Sequence, residues 1–199
     1  MVNADHPLWH LRSRLFGDWP GIAIEFSRYV YREYGVTESR DTFHIIADTI
    51  QEEWLSNQLD SLESAQELAL HSRVNHQGTT LHIPMIDFVN AISFQEIHTR
   101  LRHISEMLGQ NPWLYSSGRS LHGYYFLLID ETLWHRFLGD LLLCNSRGDF
   151  PSEIVDSRWV GHSLAHGFSA LRLSQNTSRH RTLPHLLNTE NSLEEIAQK

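Results

Sequence analysis

Apolar and polar positions recur along this chain with two different periods, and the changes of period mark its elements. Between Trp19 and Tyr34 the residues Ile22, Phe26, Tyr29 and Val30 recur at helical spacing, which predicts a helix ending at Gly35. Thr42 to Ala47 reads as a short strand. Asp60 followed by Glu63 predicts an N-cap and a helix to about His71, and Gly78 precedes a strand over Thr79–Val89. Ser93-Phe94-Gln95-Glu96 is a capping box, launching a helix with Ile97, Leu101, Ile104 and Leu108 on one face and Gly109 and Pro112 at its end.

Two strands, Trp113–Ser116 and His122–Ile129, flank a Ser-Ser-Gly-Arg-Ser turn. Asp130 then caps an apolar helix from Leu133 to Leu143. Ile154-Val155 begins a strand, Ser157–His166 forms a short helix closed by Gly167, and Phe168–Leu173 forms another strand. Strands mixed with helices imply an α+β fold, with helices packed on one face of a mostly antiparallel sheet. The pattern divides into a mainly helical part over 1–75, a core over 79–185, both in one domain spanning 1–185, and a polar tail over 186–199.

Composition narrows the chemistry. Hydrophobic residues make up 41% of the 199 residues, as in soluble globular proteins, and no apolar run approaches the ~20 residues of a membrane span. The single cysteine, Cys144, excludes an intrachain disulfide and a zinc ribbon, and suits a reducing compartment, which we take as cytoplasm. The only lysine is Lys199; the other fifteen cations are arginines, so a Schiff-base, adenylated or P-loop lysine has no candidate. The net charge is −8, yet residues 1–70 alone hold 12 acidic and 5 basic side chains, whereas 112–185 hold 6 and 7. That distribution suits a local phosphate site better than a long DNA-binding track, so unaided template binding is expected to be weak.

The stretch from Gly118 to Phe126 carries the most pointed chemistry. On a strand Ser120 and His122 project to one face, beside Arg119, with glycines that let a polyanion approach. Asp87 and Asp156 lie near two candidate strand ends, and Ala170-Leu171-Arg172-Leu173-Ser174 follows the second.

Taken in order, Asp87-Phe88-Val89, Ser120-Leu121-His122, and Ile154-Val155-Asp156 with Leu171-Arg172-Leu173-Ser174 resemble the three motifs of the archaeo-eukaryotic primase superfamily, the primase-polymerases with an RRM-like catalytic core. The resemblance spans about Leu81 to Pro184. It implies that Asp87 and Asp156 bind Mg²⁺ or Mn²⁺, that Ser120 and His122 contact the triphosphate of an incoming nucleotide, and that Arg172 lies close by, with Arg119 adding a phosphate contact. Asp87, Asp156 and His122 would be the catalytic set of a nucleotidyltransferase acting on nucleoside triphosphates and a DNA or RNA template, with a helicase among its candidate protein partners and no membrane. The first motif departs from the family: Val89 stands where a second carboxylate should, which implies synthesis that is impaired or manganese-dependent. The alternative is a non-catalytic module of the same fold that binds a nucleotide or nucleic-acid end within a larger assembly.

Each residue also has a duller role open to it. Asp156 can cap the helix that follows, His122 can be a hydrogen-bonded structural histidine, and Asp87 and Arg172 can belong to ordinary ion pairs. Tyr124-Tyr125-Phe126 reads as core and sheet face, with base stacking as the rival role. Arg179-His180-Arg181 reads as a solvated turn, with phosphate contact as the rival role. His162 and His166 share a helical face, as zinc-binding pairs do, without the glutamate of a His-Glu-x-x-His motif.

Overall fold

The computed structural model describes residues 3–30, 39–89, 93–146 and 152–187. The elements run α1 (Pro7–Arg14), β1 (Ala23–Val30), β2 (Arg40–Ile46), α2 (Glu52–Asp60), β3 (Gln66–His76), β4 (Thr79–His82), β5 (Met85–Asp87), α3 (Phe94–Leu108), β6 (Trp113–Ser116), β7 (Leu121–Tyr124), α4 (Glu131–Leu143), α5 (Ser157–His166), β8 (Ala170–Arg172) and β9 (His185–Leu186). The fold is α+β, and every strand pair is antiparallel. Among the described residues no helix is long and apolar enough to cross a membrane.

The strands form two sheets where one was expected. The first has the order β2-β1-β3-β4, with β8 also paired to β3; the second has the order β5-β7-β6-β9. The expected strand over Thr79–Val89 breaks at Pro84, which has no N–H for a ladder, and its halves join different sheets as β4 and β5. Neighbouring residues of the second sheet then serve two cores, because alternate side chains leave opposite faces. Met85, Tyr115 and Tyr124 pack with α1, α2 and the first sheet, whereas Ile86, Phe88, Leu114 and Leu121 pack under α3 and α4.

Two predicted helices are strands. Residues 23–30 form β1, and residues 66–76, overlapping the end of the helix expected from Asp60, form β3; Asp60 ends α2 instead of capping a helix. The part expected to be mainly helical, 1–75, therefore contributes three strands of a sheet. The reason is physical. Ile24, Phe26, Leu68 and Leu70 face the apolar core, but the alternate residues Glu25, Ser27, Glu67 and His71 are buried as well. Polar residues that suggested a solvent face instead satisfy one another inside, so the apolar spacing misled. His71 Nδ1 donates to Glu25, its Nε2 lies 2.8 Å from Ser27 Oγ, and Arg73 Nη2 donates to both Glu25 oxygens at 2.9 Å.

The capped helices match the sequence closely. Ser93 Oγ accepts from the Glu96 N–H, Asp130 Oδ1 from the Leu133 N–H, and Gly109 and Gly167 close α3 and α5 in left-handed conformation. Other boundaries shift. Beyond Tyr124 only Ile129 keeps a bridge, to His82, and Val155 makes a single bridge to Phe88. Leu186, expected in the tail, pairs with Tyr115, and Leu187 is buried. Gly35, Asn90 and residues 188–199 lie outside the described residues.

Candidate nucleotide site

Asp87 ends β5 between the two other motif segments. In register it faces His122 of β7. On its other side its carbonyl accepts from the Asp156 N–H at 2.9 Å, while Val89 N–H donates to Ile154. Phe88 N–H points the opposite way, to Leu121. The alternation makes Asp87 and His122 a non-hydrogen-bonded cross-strand pair, the type in which opposed side chains come closest. Three segments far apart in the chain thus converge on adjacent backbones, and their side chains meet in a cavity of about 400 Å³.

All six residues singled out in the sequence line that cavity: Asp87, Arg119, Ser120, His122, Asp156 and Arg172. Its wall also holds Arg40, Arg158 and Arg179, so that among the described residues five arginines and two carboxylates line it.

The two carboxylates differ. Asp156 is the N-cap of α5, its Oδ1 accepting from the Arg158 and Trp159 N–H groups at 2.9 and 3.1 Å. Both bonds fall on one oxygen, so capping leaves Oδ2 unengaged among the described residues. Asp87 keeps 26% of its side chain accessible at the cavity wall. Burial pushes its carboxyl up to about 8, the charge of Asp156 adds to this, and Arg172 and a hydrogen bond from Ser120 oppose it. Asp87 thus feels a second acid, Asp156, and one cation, Arg172, in the same cavity.

His122 is 4% exposed, and among the described residues its buried Nδ1 has no hydrogen-bond partner. Its Nε2 stands 3.9 Å from Asp87 Oδ1, beyond hydrogen-bond reach. Burial, and then Arg172 and His180, hold it well below the usual imidazole range, so the ring is neutral. Gly123 beside it admits Phe88: a Cβ there would lie 3.0 Å from the Phe88 ring.

Arg172 lines the cavity with its guanidinium held by backbone carbonyls. It is buried, and its guanidinium donates to the carbonyls of Ser117 and Thr182. It pins the Ser117–Ser120 turn to the stretch after β8. Ser117 and Ser120 are joined by their hydroxyls at 3.0 Å, and Arg119 stands exposed at the rim. Val89 lines the cavity and packs against the core under α3 and α4. Tyr124 and Tyr125 are fully buried, as core positions.

The sequence reading missed several wall residues. Tyr29 comes from β1, which was read as helix, and Arg40 lies just before the strand expected over Thr42–Ala47; Arg40 packs over the Tyr29 ring at 4.3 Å. Of the turn Arg179-His180-Arg181, read as solvated or as touching phosphates, Arg179 and His180 are half-buried and line the cavity, and Arg181 alone is exposed. His162 and His166 line it too, with ring centroids 5.9 Å apart and His166 Nδ1 donating to the His162 carbonyl. Among the described residues no group of three or more His, Cys, Asp or Glu side chains is placed to hold a metal, so this pair gains no third ligand.

Antiparallel sheets, helices and a convergent acid–histidine–acid arrangement define a protein of primase-like fold. Residues 46–185 match the family model AEP-like, described as archaeo-eukaryotic primase 1D-like, and the chain belongs to this family. Among solved structures it is similar to the primase RepB′, with 7% identity and a TM-score of 0.49 over 96% of this chain; it spans 62% of that chain's length. No curated protein matches it.

Proposed function

We propose that the protein is a primase-type nucleotidyltransferase, joining nucleotides on a DNA or RNA template. The observation that carries this reading is the adjacency of Asp87, His122 and Asp156 across three neighbouring backbones in one arginine-lined cavity. A triphosphate entering it would meet Ser120 and Arg119 on the turn and the neutral ring of His122, whose buried Nδ1 has no partner among the described residues. In the reaction a hydroxyl oxygen bonds to the α-phosphorus, the α–β phosphoanhydride breaks, pyrophosphate leaves and the hydroxyl proton passes to water.

Asp87 and Asp156 would hold one Mg²⁺ or Mn²⁺ jointly with phosphate oxygens, a hard-cation arrangement that needs only one or two protein carboxylates. When bound, such an ion would supply charge neutralisation of the triphosphate. Val89 supplies no oxygen for a second. We therefore expect slow synthesis that manganese supports better than magnesium. Val89 also favours a second reading, a nucleotide-binding module without turnover.

Nucleoside triphosphate binding and primer synthesis, measured for the native chain, Asp87→Ala and His122→Ala with each metal, separate these readings. Product lost in both variants supports catalysis. Binding with no product under any metal or template supports the module. Absence of binding in the native chain sinks both.

A further inference from the structure

Two pairs of histidines stand four apart in the sequence, His6 with His10 and His162 with His166. At that spacing two imidazoles can share one face of a helix. The fold spends the first pair on itself. His6 is buried, its Nδ1 accepting from the Leu8 N–H at 3.3 Å and its Nε2 donating to the Leu173 carbonyl at 3.0 Å. His10 Nδ1 lies 2.9 Å from the Tyr115 hydroxyl.

The second pair, on α5, is not spent in this way. His162 is half-buried and His166 exposed, and both line the cavity. Their rings are 24° from parallel, with centroids 5.9 Å apart. Among the described residues the His162 ring makes no hydrogen bond. His166 Nδ1 donates to the His162 carbonyl at 2.8 Å. A carbonyl can only accept, so Nδ1 carries a hydrogen and Nε2 is left as the nitrogen with the lone pair.

A lone pair cannot donate to a phosphate oxygen; it takes a cation. A backbone carbonyl holding the far nitrogen is the common outer support of a metal-bound histidine. His135 makes the same bond to the Glu131 carbonyl on α4 but has no second imidazole four residues away. The pair, and not the bond, therefore marks the site. Zn–N bonds of about 2.0–2.1 Å place two imidazole centroids on one tetrahedral ion roughly 5 Å apart. The observed 5.9 Å is about 1 Å wider, which small rotations within a rotamer well close without moving α5.

We propose that His162 and His166 form a site for a divalent transition-metal ion of the zinc class, with water completing its coordination. Imidazole nitrogen suits such ions, whereas Mg²⁺ and Mn²⁺ prefer carboxylate oxygen. The site is thus chemically distinct from Asp87 and Asp156, and it does not rest on the nucleotidyltransferase reading. The arginines of the cavity oppose a bound dication. Affinity is accordingly moderate and set by the two metal–nitrogen bonds.

Zn²⁺ alone, titrated into the full chain in phosphate-free buffer, tests this with two readouts. Long-range ¹H–¹⁵N spectra of the native chain should show Nε2 of His166 and a ring nitrogen of His162 shifting together along one saturation curve, with Mg²⁺ leaving both unmoved. By calorimetry, His162→Gln and His166→Gln should each weaken zinc binding at least tenfold, the loss of one of two ligands. The native spectra decide the matter even where a variant folds poorly. Rings that move independently, or not at all, overturn the inference. So does zinc affinity that disappears in Asp87→Ala and survives in both histidine variants, which would assign the ion to the carboxylates.

Discussion

His122 Nε2 lies 3.9 Å from Asp87 Oδ1, across a cross-strand pair whose backbones are held on both sides by the ladder. Neither side chain satisfies the other: the imidazole is neutral, and the carboxyl holds its proton up to about pH 8. Such mutual frustration is expected of a site built for a ligand that supplies the missing charge.

Asp87 makes folding stability depend on pH in a specific direction. In the unfolded chain its carboxyl ionises near ~3.9, whereas in the fold it does so at about 8. Between those values the folded state binds more protons, so the group costs increasing stability as pH rises from about 4 to 8. Asp87→Asn should remove that cost. In metal-free buffer its Tm gain over the native chain should widen across this range, by roughly 2–4 °C for each kcal/mol relieved. A difference that stays flat with pH would refute the assignment.

Glu25 has the opposite sign. Burial pushes it up, but hydrogen bonds and charge from His71 and Arg73 outweigh this and hold it at about 2. Its contribution is complete above the unfolded value of ~4.3 and is lost as pH falls through about 2. Glu25→Gln should cost roughly 3 kcal/mol at pH 7, the low end for breaking a buried pair because Arg73 keeps 40% of its side chain in water. Urea unfolding at pH 7 and pH 3 should show the penalty shrinking in acid.

Gly123→Ala would place a methyl 3.0 Å from the Phe88 ring and 3.4 Å from Ile86 Cβ, both in a closed core. Overpacking of this kind costs about 1–3 kcal/mol. Because Gly123 adjoins His122 and pairs with Ile86, the strain should also weaken nucleotide binding. An alanine variant with native stability and native affinity would show that β5 and β7 part without consequence.

Arg172→Lys should behave as a loss. One ammonium cannot reproduce the fork that reaches both Ser117 and Thr182. We expect about 1–3 kcal/mol less stability and faster amide exchange over residues 117–120. Unchanged exchange there would mean that the turn holds itself.

Val89→Asp tests the departure in the first motif. The side chain lines the cavity two residues from Asp87. A carboxylate there should strengthen Mn²⁺ binding, read by calorimetry, and move any synthesis toward Mg²⁺, at some cost from the lost packing under α3. Weaker metal binding than in the native chain would count against a cation between Asp87 and Asp156.

What the sequence by itself determined was local: the capped helices α3, α4 and α5, the turn before His122, and the three short motifs whose order led to this family. Caps and turns are legible because their hydrogen bonds close within a few residues, as Ser93 does to Glu96 and Asp156 to Trp159. The tertiary structure decided the rest. β1 and β3 read as helices because their polar residues are buried against partners that lie far away in the chain: Glu25 against His71, 46 residues on, and Glu67 against His180, 113 residues on. What holds the Arg172 guanidinium was likewise decided at a distance: Ser117, 55 residues earlier, accepts from it. A buried hydrogen bond must be satisfied by whatever the fold brings near, and that neighbour is set by packing rather than by position along the chain.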